Sequence, residues 1–383
     1  MNHEFSIDGL FDFLNAGVSA FHSTAAAAAI LEENGYQNCP ESAAWQLAPG
    51  GKYYTTRNGS AIMAWRMPKG PLTGWHAAAS HSDSPTWRVK KLDCAEDKVF
   101  AKAETEGYGG MIMPSWLDRP LSVAGRVLVR RENGLDMRLV DMKKDMALIP
   151  RVAIHLNRDG NNGTKYNPAQ DLVALYAGGE QKASFDREIA AAAGCQPEDI
   201  VARDLFLYNN QPGTVWGPAG EFLSAPRLDD LACVFACTQG FLTAHETTAI
   251  PVLCVFDNEE IGSETKQGAA SAFLPETLTA ITTALGLTSG DYRRHDALLR
   301  QWPCPPPQPP GAGGRQRSPG AQRRRGGEAL PPLCHRRRLR RRLPGDLPPG
   351  SGAHPALRQP SRPGRRRHPG EHRQHQVAGE HRG

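Results

Sequence analysis

Residues 250–260 read IPVLCVFDNEE, a continuous apolar run that ends in a cluster of carboxylates. Its first seven residues carry no charge, which is typical of a strand that is buried on both faces of a parallel sheet. Asp257, Glu259 and Glu260 follow within four positions. Because ligands of open α/β sheets bind beyond the carboxyl ends of the strands, this segment predicts an α/β fold with a functional site at that edge.

The two adjacent glutamates of this segment have two interpretations. Neighbouring carboxylates repel each other unless they are protonated, paired or bound to a metal, so Glu259 and Glu260 suit a general base beside a metal ligand. The alternative is an acidic helix start, which the helix dipole stabilises. The segment by itself is compatible with both.

Two other segments offer side chains of the same chemistry. GWHAAASHSD, residues 74–83, predicts a small-residue strand that runs into a turn at His81 and Asp83. In a His-x-Asp arrangement the imidazole can bind a metal while the carboxylate holds its other ring nitrogen; an ordinary surface turn is the alternative. Asp229 stands at the start of a predicted helix over residues 227–245, where it either binds a metal or caps the helix.

The three segments together favour a metal site. One histidine and three carboxylates on separated strand ends provide the nitrogen and oxygen ligands that suit Zn²⁺. A carboxylate that bridges two zinc ions, about 3.5–4 Å apart, would leave a shared water as nucleophile and a second carboxylate as its base. Carboxylate-rich sites also accept manganese or cobalt, so the sequence predicts a divalent metal without fixing which one.

The periodicity divides the chain before residue 297 into three predicted parts. Residues 1–92 mix helical and strand patterns and open with an amphipathic helix. Residues 93–228 are poor in helical patterns and rich in short alternating strands, including IPRVAIHLNR at 149–158. Helical patterns return in residues 229–296. A helix-poor block between helix-rich blocks predicts a β-rich domain inserted between the two parts of a catalytic domain.

The composition argues against a membrane or secreted protein. No run of 18 apolar residues is present, and the acidic N-terminal segment lacks the basic region of a secretory signal. The eight cysteines are scattered without a CxxC pair, and Cys233, Cys237 and Cys254 lie in apolar segments, which favours buried free thiols. We therefore expect no membrane partner and a cytoplasmic location.

The net charge of +5 conceals two unlike parts of the chain. Residues 297–383 contain 19 arginines, no lysine and four carboxylates, a net charge of +15, so the residues before them carry −10. Arginine clusters can bind phosphate nonspecifically, but Trp302 is the only aromatic residue of this tail available for base stacking. We therefore expect a disordered basic tail with no specific nucleic-acid partner.

Several stretches resemble the aspartyl aminopeptidase family of co-catalytic zinc metallopeptidases. They occur in family order across residues 5–290 and read GKYYTTRNGS, HSDSPTWRVK, YGG followed by WLDRPLSVAGRV, IPRVAIHLNR, SAPRLDDL and FDNEEIGSETKQGA. The resemblance implies an α/β zinc-peptidase fold, a mixed sheet flanked by helices, with the β-rich insertion serving oligomerisation. It also implies removal of N-terminal Asp or Glu from peptide substrates by a homo-oligomer, a dodecamer in the family.

The resemblance assigns roles to individual residues as well. His81 would bind one of two zinc ions per subunit, and Asp83 would orient it. Asp229 would bridge both ions and Glu260 would bind the second. Glu259 would be the general base that takes a proton from the bridging water.

Three further features of the family pattern concern other parts of the chain. His155, in the inserted block, resembles a family histidine that reaches the active site of a neighbouring subunit, where it would bind substrate. The family's two remaining metal ligands, an Asp in a motif like DNAHAxHPN and a His near the C-terminus, have no match in this sequence. The alternative function is therefore a catalytically defective homologue that still oligomerises.

The tail suggests why those ligands have no match. Residues 300–310, RQWPCPPPQPP, can be encoded so that reading one nucleotide later gives DNGHAPHPNHP, nearly the missing motif. Residues 365–377 similarly permit GGGTLGNIANTK, which resembles a glycine-rich family segment. After residue 296 the chain contains no Phe, Tyr, Met, Ile, Asn, Lys or Thr, as expected from a GC-rich gene read out of frame. We therefore predict a frameshift near residues 293–300.

Overall fold

Six helices and fifteen strands make up the part of the chain that the computed structural model describes, residues 5–70, 74–92, 99–178, 184–245, 249–287 and 298–301. The helices are Ile7–Ala16 (α1), Ala20–Glu33 (α2), Pro168–Asp171 (α3), Ser184–Ala193 (α4), Leu228–Thr243 (α5) and Phe273–Ala284 (α6). The strands are Gln37–Asn38 (β1), Lys52–Arg57 (β2), Ala61–Arg66 (β3), Gly74–His81 (β4), Thr86–Leu92 (β5), Phe100–Tyr108 (β6), Pro120–Arg131 (β7), Gly134–Asp141 (β8), Ala147–Leu148 (β9), Ala174–Gly178 (β10), Ile200–Tyr208 (β11), Thr214–Trp216 (β12), Phe222–Ser224 (β13), Ala249–Phe256 (β14) and Leu298–Gln301 (β15).

The first sheet is mixed, as the resemblance to the family implies. Its strand order is β1-β2-β3-β14-β4-β15, in which β14 runs parallel to β4 and antiparallel to β3. β15 adds a parallel strand on the other side of β4. The charge-free run of residues 250–256 therefore occupies an interior strand of the sheet, which agrees with its composition.

Both faces of β14 are buried against helices, which explains why its sequence is apolar throughout. Leu253 and Val255 belong to a core with residues of α1, α2 and α5 on one face of the sheet, while Val252 and Cys254 pack with residues of α6 on the other. Successive side chains of a strand point to opposite faces, so a strand covered on both sides needs apolar residues at every position. The predicted α/β fold, a mixed sheet flanked by helices, is confirmed.

The N-terminal segment forms two helices where the sequence predicts one. α1 begins after Ser6, whose Oγ accepts a hydrogen bond from the backbone N of Gly9 at 3.1 Å. It ends at Gly17, where a Cβ would lie 2.8 Å from the side chain of Leu231 in α5. The chain turns at this glycine because only a residue without a side chain allows so close an approach of α5.

The second sheet closes on itself. Its strand order is β11-β5-β6-β10-β9-β7-β8, and β11 also pairs with β7, so six strands form a closed barrel with β8 attached to β7. Its core includes Trp87, Leu121 and Leu205, each at most 1% exposed. A Cβ on Gly125 in β7 would lie 1.9 Å from the carbonyl oxygen of Asp204 in β11, so this pairing requires glycine.

One predicted strand is wrong. Residues 149–158 form turns and irregular backbone with a single isolated bridge at the start. Pro150 has no N–H to donate to a ladder. Val152, Ile154 and Leu156 are exposed, so the segment has no buried face on which a strand would pack.

The barrel strands come from residues 86–208, so they begin earlier than the predicted insertion at 93–228. The division into a catalytic and an inserted domain stays a prediction. Cys233, Cys237 and Cys254 form no disulfide among the described residues; Cys254 is buried as predicted, and the other two are half-buried.

The predicted disordered tail, 297–383, lies outside the described residues except for 298–301. In the part of the chain that the structure describes, no helix combines the length and the hydropathy needed to cross a bilayer.

Candidate metal centre

Three separate segments of the chain meet at the carboxyl edge of the first sheet. β4 and β14 run parallel in a register that pairs His81 with Phe256, so both strands end at the same edge. β14 continues into the short 3₁₀ turn Glu259–Ile261. α5 brings Asp229 to this edge in its first turn. The topology thus collects side chains that are far apart in the sequence.

His81 stands at the centre of the cluster. Its Nε2 lies 3.5 Å from Asp229 Oδ1, 3.7 Å from Asp230 Oδ2 and 3.9 Å from Glu259 Oε2. Its backbone N donates to Asp230 Oδ2 at 3.1 Å. Two groups of potential ligand atoms share His81, one with Asp229 and Asp230 and the other with Glu259 and Glu260, and the atoms within each group lie within 4.8 Å of one another.

Asp83 is buried, at 2% exposure, and both its carboxylate oxygens are hydrogen-bonded. Its Oδ1 lies 3.2 Å from His81 Nδ1 and accepts from the backbone N of Glu259 at 3.2 Å. Its Oδ2 accepts from the hydroxyl of Tyr108 at 2.8 Å and from the backbone N of Glu260 at 3.2 Å. The carboxylate thereby fixes the Nδ1 side of the imidazole and leaves Nε2 facing the other carboxylates, the arrangement that a metal-binding histidine requires.

Asn258 shapes the turn that presents the two glutamates. Its φ is +62°, a left-handed conformation that asparagine tolerates better than most residues. Its side-chain Oδ1 accepts from Thr265 Oγ1 at 2.7 Å and Gln267 Nε2 at 2.8 Å, while its Nδ2 donates to the Tyr108 hydroxyl at 2.8 Å. These bonds fix the orientation of Asn258, which lies in the chain between β14 and the two glutamates.

The gathered acidic groups shift one another's protonation. Burial alone would lower the pKa of His81, but its hydrogen bond to Asp83 and the charges of the neighbouring carboxylates raise that pKa to about 9. Burial raises the pKa of Glu260 to about 7 and that of Asp257 to about 6, the latter with the charge of Asp83. A divalent cation would neutralise this concentration of negative charge. An imidazole held at its second nitrogen and surrounded by carboxylate oxygens fits zinc.

The cluster contains five of the six residues that the sequence singled out. His81, Asp83, Asp229, Glu259 and Glu260 are its members. The sixth, the histidine at position 155, lies on the exposed turn at 154–156 and is not part of it.

Two members of the site were missed from the sequence. Asp230 adjoins the predicted Asp229, and its own carboxylate at the helix start was the available signal. Tyr108 has only the YGG stretch to mark it, because its contact with Asp83 depends on how the barrel meets the first sheet.

A cavity of about 480 Å³ adjoins the cluster, with Asp229 in its wall. Arg119 also lines it, and the Nε of this guanidinium is buried with no hydrogen-bond partner among the described residues. Arg88 and Arg126 in the same wall are instead paired with Asp204, at 2.6 and 3.0 Å. Arg119 thus differs from these two arginines in that its Nε is paired with no described residue, and a guanidinium is suited to a carboxylate.

Comparison with protein families agrees with a metal centre at this site. A family model described as aminopeptidase I zinc metalloprotease (M18) matches residues 13–299. A probable M18 family aminopeptidase 2 of Clostridium acetobutylicum is 39% identical over 303 residues, which cover 76% of this chain and 70% of the relative.

Solved structures agree with the sequence relatives. The Ape4 chain of an Ape4–Nbr1 complex matches with a TM-score of 0.69 and 31% identity, covering 72% of this chain and 58% of Ape4, so this chain spans little more than half the length of that relative. The mApe1 dodecamer of S. cerevisiae matches with a TM-score of 0.63 and 26% identity, covering 74% of this chain and 66% of mApe1.

Proposed function

This chain belongs to the M18 family of aminopeptidase I zinc metalloproteases, and from that premise we propose that it removes an N-terminal Asp or Glu from peptides. The observation that carries the proposal is the arrangement around His81. Asp83 holds its Nδ1, and carboxylates from two other segments stand on its Nε2 side. A zinc-dependent hydrolase needs this combination of an oriented imidazole, oxygen ligands and a spare carboxylate.

Two zinc ions share the site in this proposal. His81 and Asp229 would hold one ion, and Asp229 and Glu260 would hold the other, while Asp83 orients the imidazole without acting as a ligand. Zinc, when bound, supplies a Lewis acid that polarises the scissile carbonyl and lowers the pKa of the attacking water. Manganese and cobalt suit the same donor set.

Glu259 is the proposed general base. Its side chain is 56% exposed and its Oε2 lies 3.9 Å from His81 Nε2, so it faces the open side of the cluster that a substrate would enter. From there its carboxylate can take a proton from the attacking water and return it to the leaving amine.

The preference for an acidic residue is supported by the cavity beside Asp229. A side-chain carboxylate of the substrate would pair with Arg119, whose buried Nε has no partner among the described residues. A substrate with a neutral side chain would leave that buried donor without an acceptor. Such an unpaired donor discriminates between substrates more strongly than a difference in apolar contact does.

Assembly into a homo-oligomer is also proposed. The S. cerevisiae relative is a dodecamer, and the loop that carries His155 exposes Val152, Ile154 and Leu156. Three exposed apolar side chains on one loop favour contact with another subunit. His155 would reach a neighbouring active site in such an assembly. A cytoplasmic location stays a prediction. The catalytically defective alternative rests only on the two family metal ligands that have no match in the sequence.

Substitution Glu259→Gln tests the proposed function. The amide keeps the shape of the side chain but cannot accept a proton, so we expect hydrolysis of an Asp-peptide to fall by about 10²–10⁴-fold while zinc content stays unchanged. Release of free Asp and metal analysis measure the two effects. The exposed Glu264→Gln serves as control. Hydrolysis by Glu259→Gln at the wild-type rate would refute the assignment of the base, and a zinc-loaded wild type that releases no N-terminal residue would refute the function.

A further inference from the structure

We propose that Tyr108-Gly109-Gly110, the end of barrel strand β6 and the two residues after it, is a positioning element for the metal centre; we refer to it as the 108–110 clamp. The barrel would then support metal binding by positioning residues of the metal centre. The inference rests on the proposed function for the identity of the metal ligands.

Tyr108 connects the barrel to the carboxylate that orients His81. Its hydroxyl donates to Asp83 Oδ2 at 2.8 Å and accepts from Asn258 Nδ2 at 2.8 Å, so both its donor and an acceptor position are used. The half-buried ring packs edge-on against Phe206 of β11, with 5.6 Å between the ring centroids. The barrel therefore supplies a hydrogen bond to the carboxylate that orients His81.

The two glycines act on Glu260, the proposed ligand of the second ion. Gly109 has φ +80°, and a Cβ at this position would lie 2.6 Å from Glu260 Oε2 and 2.8 Å from its Cβ. Gly110 N lies 3.4 Å from Glu260 Oε2 and donates to it. The backbone of the clamp thus forms one wall for this side chain, and any larger residue at Gly109 would displace it.

The clamp restricts both residues at once. Without the Tyr108 hydroxyl, the backbone N of Glu260 is the one donor to Asp83 Oδ2 that remains among the described residues, and the support of the His81 imidazole is weakened. Outer hydrogen-bond partners of metal ligands typically contribute about 10–100-fold to metal affinity. We therefore expect the clamp to affect metal affinity more than folding.

Two variants test the clamp from different sides, each with a matched control. Tyr108→Phe removes only the hydroxyl, and Tyr54→Phe removes the same kind of Tyr–carboxylate bond, to Glu32, in a part of the first sheet remote from the site. Gly109→Ala introduces the Cβ beside Glu260. Gly35→Ala imposes the same backbone strain, at φ +81°, with no atom within 4 Å of the new Cβ.

The measurement is Zn²⁺ and Co²⁺ affinity of the full chain, by competition with a chromophoric chelator, together with the visible absorption of the Co²⁺ protein. Tyr108→Phe and Gly109→Ala should each weaken affinity by about 10-fold or more and change the Co²⁺ spectrum, whereas both controls should match the wild type. Wild-type affinity and spectrum in both clamp variants would overturn the inference alone. A wild type that binds neither ion would overturn the proposed function and the inference with it.

Discussion

His81 and Glu260 both hold protons that a metal must displace. In the metal-free protein the pKa of His81 is raised to about 9 and that of Glu260 to about 7. At pH 7 the imidazole then holds its proton and the carboxyl is partly protonated, so zinc binding should release between about one and two protons. Calorimetric titration with zinc in buffers of different ionisation enthalpy measures this number.

The release should fall as the pH rises from 7 towards 10, because both groups then lose their protons before the metal arrives. The same raised pKa means that protonated His81 stabilises the metal-free fold fully below pH 6.5, and that this contribution disappears as the pH rises through about 9. If zinc binding released fewer than about half a proton at pH 7, neither His81 nor Glu260 would be a zinc ligand, contrary to the assignment.

A single side chain, Arg119, is proposed to select the acidic residue of the substrate through an ion pair. We expect Arg119→Ala to reduce the preference for an Asp-peptide over the matching Ala-peptide by about 10–100-fold in kcat/KM, the range of a lost charged hydrogen bond. The exposed Arg131→Ala, which removes a surface arginine paired with Asp136 at 3.6 Å, should leave the preference unchanged. An unchanged preference in Arg119→Ala would show that the acidic side chain of the substrate does not bind at Arg119 in this cavity.

At the residue scale the convergence of the candidate ligands could be predicted from the sequence better than the residues that support them. His81 ends one strand and Glu260 follows another, and the apolar pattern located the carboxyl ends of both. Tyr108 could not be placed, because its distance from Asp83 depends on the contact between two sheets rather than on any local pattern. His155 stays a prediction that only an assembled oligomer can test.

Among the elements, β7 depends on a glycine where it pairs with β11. A Cβ on Gly125, at φ +154°, would lie 1.9 Å from the carbonyl oxygen of Asp204, so the two strands would have to separate. We expect Gly125→Ala to destabilise the fold by about 1–3 kcal/mol. Gly134→Ala is the control, since Gly134 also has positive φ but no atom within 4 Å of a Cβ.

Thermal unfolding followed by circular dichroism compares the two variants. A midpoint for Gly125→Ala that equals that of Gly134→Ala would show that the barrel tolerates a wider β7–β11 spacing, contrary to the expectation.

Element prediction succeeded where burial and local pattern agreed. The bounds of β14, β4 and α5 lie close to those of the apolar stretches that predicted them. Each of these elements buries at least one face in a hydrophobic core. The segment 149–158 failed because its alternating apolar residues are exposed, and alternation alone does not create a partner strand. The division of the opening helix at Gly17 depends on the close approach of α5, which no local pattern contains.

On the scale of the whole molecule, the family match and the described fold stop at nearly the same place. The family model ends at residue 299, within β15, although the chain continues to residue 383. β15 runs parallel to β4 and pairs Gln301 with Ala79, two residues before His81. The shifted reading DNGHAPHPNHP would begin at position 300, so it would bring a new Asp close to the edge that holds the cluster.

A chain with the reading frame restored near residues 293–300 should therefore bind zinc at least about 10-fold more tightly than the present sequence and hydrolyse Asp-peptides faster. Zinc competition with a chelator and peptide hydrolysis measure the two effects, and a restored chain whose new Asp codon is changed to Ala is the control. Equal zinc affinity of the present and restored chains would contradict the frameshift as the cause of the missing ligands. Resequencing the gene across these codons tests the frameshift itself.

The α/β fold class could be predicted from the apolar pattern of residues 250–256, whereas the mixed sheet was expected only from the resemblance to a family. The closure of the barrel could not be predicted, since it depends on β11 pairing with β7 across a long sequence separation. The boundaries of the two domains stay predictions for the same reason.

The distances along the chain between partners at the metal centre also bear on how the protein folds. The bond from His81 to Asp230 joins residues 149 positions apart, and the bond from Glu260 to Asp83 joins residues 177 positions apart. Contacts between such distant residues form slowly because the entropy of closing a long loop is lost before the contact contributes. All six strands of the barrel lie in that intervening chain. The proposed zinc site is therefore complete only when the two stretches of chain on either side of the barrel have come together.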